Sequence, residues 1–97
     1  MTFLLIINLR FINQKEMNIF IKEFLFLQKY CLEKEKQFLF QYEYAISDQE
    51  KHTLVIIEKY NNKNSYLNIH RKSEQFIKFK KATSNLNISI IGHSYIL

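Results

Sequence analysis

The stretch EKYNNKNSYLNIHRKSEQF, residues 58–76, concentrates side chains that can accept, hold or direct a proton. His70 ionises near neutral pH by default, which suits a general base. Tyr66 lies four residues before it, one helical turn away, so the two can share a face. Glu58 and Tyr60 are two apart and point to the same side of a strand. A Glu on an otherwise apolar strand needs a partner, for which Arg10 or Arg71 is available. Upstream, Asn8 breaks an apolar strand and can orient a ligand, and Tyr42 brings a phenol to an aromatic strand. These residues form two candidate sets. His70, Asn8 and Tyr66 would act on a substrate; Glu58, Tyr60, Tyr42 and Arg10 would bind it. Each also has a plain structural role open to it. A helix His can bond to backbone or solvent, and tyrosines commonly fill a core or its rim. His93 and Tyr95 alternate on one strand face, where they can enter a cavity or lie at the surface, and the surface is the reading preferred.

Positioning such groups requires ordered elements, and the hydropathy pattern supplies them. Residues 2–12 read as a strand with Phe3, Leu5, Ile7, Leu9 and Phe11 on one face. Leu4, Ile6, Asn8 and Arg10 occupy the other, which starts apolar and turns polar. Residues 13–36 read as a helix. Asn13 can cap it, with Glu16 three residues later as in a capping box. Met17, Phe20, Ile21, Phe24, Leu27 and Cys31 follow helical spacing, and Leu25 and Phe26 widen the stripe towards a second surface. Residues 38–46 and 53–60 read as a hairpin around the polar turn SDQEKH. Two short helical pieces follow, SYLNIH and SEQFIKFKKA, the second capped by Ser73 with Phe76 and Phe79 inward. Residues 87–97 read as a last strand in which Gly92 marks a bulge or a close backbone approach.

The order β-α-β-β-α-β predicts an α+β, ferredoxin-like single domain over residues 1–97, with helices on one face of an antiparallel sheet. The other face is expected to carry Leu4, Ile6, Leu54 and Ile56, an apolar patch that calls for a partner or a ligand.

Composition bounds the function. The chain has 97 residues, enough for one core. Hydrophobic residues make up 47% and aromatics 15%, a globular composition. A single cysteine excludes an internal disulfide and a multi-cysteine metal site, and Cys31 reads as a buried thiol. The histidines show no ligand spacing for a metal. With one glycine there is no phosphate-binding loop. The net charge of +5 comes from lysines spread along the chain, which reads as solvated surface. The apolar start TFLLIINLRFI is too short to span a bilayer and lacks a signal-peptide pattern, so a cytoplasmic location away from membranes is expected.

The motif in residues 58–76 resembles the antibiotic biosynthesis monooxygenase family. Glu58-Lys59-Tyr60 is similar to that family's Glu-x-Trp strand end, with Tyr in place of Trp. Asn61 to Ser65 resembles its polar turn. Tyr66, Leu67 and His70 resemble the following helix, and Ser73, Glu74 and Phe76 the close of the motif. Phe40-Gln41-Tyr42-Glu43 is similar to the family's second strand. The resemblance implies a homodimer whose sheets pack face to face as a dimeric α/β barrel, with a small pocket between each sheet and its own helices. It also implies a cofactor-independent monooxygenase acting with O₂ on a small aromatic, phenol or quinol. In that chemistry the deprotonated substrate itself supplies the electrons.

Other readings stay open. One is a member of the same superfamily that binds a small molecule without turning it over. Another is the haem-degrading branch, whose Asn matches Asn8, although its Trp and His positions fall at His70 and Lys80. The third is an RNA-recognition module of the same element order. It is disfavoured because KHTLVIIEKY carries aliphatic residues and a Glu where stacking aromatics belong, so no specific nucleic acid is expected.

Overall fold

The computed structural model describes residues 1–97 and has the expected order of elements. Strand β1 is Phe3–Phe11, helix α1 Gln14–Lys34, β2 Leu39–Ile46 and β3 Thr53–Tyr60. A short α2, Lys63–Ser65, runs directly into a π-helical turn, Tyr66–His70. Helix α3 is Glu74–Thr83 and β4 is Ile88–Ile96. The four strands form one sheet in the order β2-β3-β1-β4, antiparallel throughout. The hairpin β2–β3 and the pair β1–β4 therefore flank a β1–β3 centre, the ferredoxin-like arrangement.

Local chemistry explains the helices. The Asn13 side chain accepts from the Glu16 N–H at 2.9 Å and caps α1. The other half of a capping box does not form. Glu16 instead accepts from the backbone N–H of Asn87 at 2.6 Å, tying the start of α1 to the loop before β4. Met17, Phe20, Phe24, Leu27 and Cys31 are buried on one stripe of α1. Leu25 and Phe26 are exposed on its outer side. Asn62 caps α2, and Ser73 caps α3 by accepting from the Phe76 N–H at 3.1 Å.

Register decides the two sheet faces. Leu9 pairs with Leu54, Ile7 with Ile56, and Leu5 with Glu58. Directly opposed residues share a face, so Leu54 and Ile56 lie under the helices with Leu5 and Leu9. This corrects the expectation that they belong to the uncovered face. That face carries Leu4, Ile6, Val55 and Ile57, with Ile91, His93 and Tyr95 of β4 beside them. The expected irregularity at Gly92 is also corrected. Gly92 pairs with Ile7 in unbroken register, and a Cβ there would meet Ile7 Cγ1 at an ordinary 3.9 Å. The register shift falls in β2 instead, between Leu39 and Gln41, where Phe40 turns outwards.

Candidate functional site

A cavity of about 460 Å³ opens between the covered sheet face and the helices. The sheet contributes Ile7, Leu9 and Ile56 to its wall, α1 contributes Phe20, and α3 contributes Phe76 and Phe79. Into this apolar space face Tyr42 from β2, Glu58 from β3, Tyr66 from the π-helical turn and Arg71 just after it, with Lys80 from α3. Such a composition suits a small, largely apolar ligand fixed by a few polar groups.

Glu58 is buried, and its Oε1 accepts from the Tyr60 hydroxyl at 2.5 Å. Burial raises its pKa above the ordinary carboxylate value, opposed by the Tyr60 hydrogen bond and the nearby His70. The expected pairing of Glu58 with Arg10 or Arg71 does not form. Arg10 pairs with Glu50 across the end of the sheet, and the Arg71 guanidinium lies 5.8 Å over the Tyr66 ring. Tyr42, Tyr60 and Tyr66 all have pKa values raised, first by burial and then by Glu58, with Arg71 lowering that of Tyr66. Their hydroxyls therefore stay protonated and act as donors.

His70 is fully buried and does not line the cavity. The π-helical turn, closed by the Arg71 N–H donating to Tyr66 O, sets it among the rings of Tyr42, Tyr60, Tyr66 and Phe76. Its Nδ1 lies 2.7 Å from Glu35 Oε1 and 3.8 Å from Cys31 Sγ. A carboxylate at that distance favours the tautomer with the proton on Nδ1. His70 Nε2 has no hydrogen-bond partner in the protein.

The cluster Cys31–Glu35–His70 was not legible as a set. Cys31 and Glu35 are one helical turn apart, the only signal in the sequence, while His70 comes from 39 residues further on. Their donor atoms lie within 4.8 Å of one another, the kind of set that can hold a cation. His70 Nδ1 is already engaged with Glu35, and the Cys31 thiol is pushed up by burial and by Glu35, so a metal would have to displace those protons.

The remaining candidates lie elsewhere. Asn8 and Arg10 point out from the uncovered face, because they alternate with the cavity-lining Ile7 and Leu9. His93 and Tyr95 are exposed on that same face. Tyr42, Glu58 and Tyr66 meet at the cavity, Tyr60 stands behind Glu58, and His70 is packed behind the aromatic wall.

The sequence matches no protein-family model and no curated protein. Solved structures do match. A proposed antibiotic biosynthesis monooxygenase from Caulobacter crescentus superposes with a TM-score of 0.86 at 17% identity, over 97% of this chain and 87% of that one. SnoaB, a cofactor-independent oxygenase from Streptomyces nogalater, gives 0.80 at 7% identity, over 99% and 92%. The fold is that of the antibiotic biosynthesis monooxygenases. A further proposed member, from Nitrosomonas europaea, gives 0.80 at 10% identity over 96% of this chain and 88% of its own. Identities this low speak for the monooxygenase fold itself, and the side chains in the cavity must speak for chemistry. No helix is long and apolar enough to cross a membrane.

Proposed function

We propose that the chain is a cofactor-independent monooxygenase that oxidises a small phenol or quinol-type aromatic with O₂. The observation that carries this reading is Glu58, a buried carboxyl with a raised pKa on the wall of an apolar cavity. A phenolic substrate is unreactive towards O₂ until it loses a proton. A carboxylate made more basic by burial is the group for that task, because proton transfer is favoured as the two pKa values approach. Tyr60 holds the Glu58 oxygen in place, and Tyr66 can donate to the developing oxyanion. The anionic substrate then gives its electrons to O₂. One oxygen atom stays on the ring carbon as a carbonyl, and the other leaves as water with the hydrogen of that carbon and the phenolic proton that Glu58 accepted. His70 supports the aromatic wall from behind and completes the network with Glu35 and Cys31. Asn8 and Arg10 serve on the uncovered face, where a second copy would pack to form a dimeric barrel. That SnoaB shares the fold and is a cofactor-independent oxygenase supports the reading.

An oxygen electrode tests it, with metal-free protein and a panel of hydroquinones and anthrols. Uptake should occur without additions and fall by about 10²–10⁴-fold in Glu58→Gln, which keeps the hydrogen bond but cannot accept a proton. The base must be ionised to work, so the wild-type rate should rise with pH through the raised Glu58 pKa. Uptake that requires added flavin, haem or iron would refute the mechanism, as would a fully active Glu58→Gln.

A further inference from the structure

The charges around the cavity narrow the class of molecule it takes. Arg71 and Lys80 both line it. Neither has a carboxylate partner, since the ion pairs of the molecule join Arg10 to Glu50 and His70 to Glu35. Glu58 is the one acid in the lining, and its hydrogen bond runs to Tyr60, not to either cation. The protein therefore supplies two cations at the cavity and no anion committed to them. Arg71 is partly fixed by its position over the Tyr66 ring, which leaves its planar fork of donors free for a ligand. Behind these cations the wall is apolar and aromatic, from Ile7 and Leu9 to Phe20 and Phe79.

We infer that the cavity takes aromatic carboxylates: a hydroxylated ring in the apolar interior, with its carboxylate on Arg71 and Lys80. A guanidinium and a carboxylate match in shape and charge, which gives orientation as well as affinity. Seating the acid at the cations would also keep the two like-charged carboxyls, Glu58 and that of the ligand, from competing for one position. The inference rests on the cavity being the substrate site proposed above, but it concerns binding and is tested without turnover.

The probes are 6-hydroxy-2-naphthoate and 2-naphthol, which differ in the carboxylate alone, titrated calorimetrically against the purified protein. The acid should bind about tenfold more tightly, and added salt should shrink the gap, as for a partly exposed ion pair. Arg71→Gln combined with Lys80→Gln should bring the affinity for the acid down to that for 2-naphthol in the same variant, so that the preference disappears. Both residues are exposed, so the variant should fold. Lys78→Gln with Lys81→Gln changes net charge equally away from the cavity and should preserve the gap. Equal binding of the two probes, or a preference that survives the Arg71 and Lys80 changes, would overturn the inference. The two readings fail separately: acid-selective binding with no oxygen uptake removes the oxygenase, and uptake on neutral quinols with no acid preference removes the carboxylate.

Discussion

At the scale of single residues, His70 changes meaning once its surroundings are known. Spacing made it a candidate base beside a pocket. In the structure it is enclosed by four aromatic rings and bonded to Glu35, itself only 3% exposed. Removing one member of a buried pair leaves the other desolvated without compensation, which costs about 3–5 kcal/mol. His70→Ala should therefore lower the melting temperature by on the order of 20 °C in a domain of this size. His70→Gln should recover part of the loss, because its amide can still donate to Glu35. Thermal melts by circular dichroism decide it: an Ala variant as stable as wild type would mean that the pair contributes nothing to the fold. Glu58 sits at the opposite limit, with little to hold structurally beyond Tyr60 and a direct view of the cavity.

At the scale of elements, capping and register carry the architecture. Asn13 stops the backbone at an extended conformation and satisfies an N–H that α1 cannot satisfy internally. Asn13→Ala should cost about 1 kcal/mol, measured as a lower urea midpoint with an unchanged slope. A neutral result would mean that water replaces the cap without loss. The π-helical turn matters in a different way. One extra residue per turn sets Tyr66 at the cavity while His70 remains behind the wall, their rings 6.2 Å apart and 22° from parallel. A regular α-turn over the same residues would stack both side chains on one face.

At the scale of the molecule, the helices cover one side of the sheet and leave the other open. That open side presents Leu4, Ile6, Val55 and Ile57, and Ile91 is 62% exposed beside them. An apolar sheet face of this extent is the surface on which a second copy would pack. Sedimentation at micromolar concentration should give about twice the 11.8 kDa chain mass. Ile91→Lys should shift the species to monomer, since it would bury an unpaired charge at the interface. A wild-type monomer at tens of micromolar would remove the basis for the dimer.

The sequence by itself determined the elements, their order and the caps, because these depend on neighbours within a turn or a pleat. Alternation in residues 3–11 marked both faces of β1, and the recurring apolar positions from Met17 to Cys31 marked α1. The likeness of Glu58-Lys59-Tyr60 and the residues up to Phe76 to one family's motif led to the fold that the solved structures share. Strand parity alone already separated Asn8 and Arg10 from Ile7 and Leu9. What only tertiary structure decided was pairing over distance. The β1–β3 register turned Leu54 and Ile56 inwards, a choice between two faces that β3, apolar on both, left undetermined. The packing of α1 against the π-helical turn joined Cys31 and Glu35 to His70 and closed it away from the cavity. The same packing left Arg71 and Lys80 at the cavity without partners, since a basic side chain in a sequence carries no mark of which carboxylate, if any, will reach it.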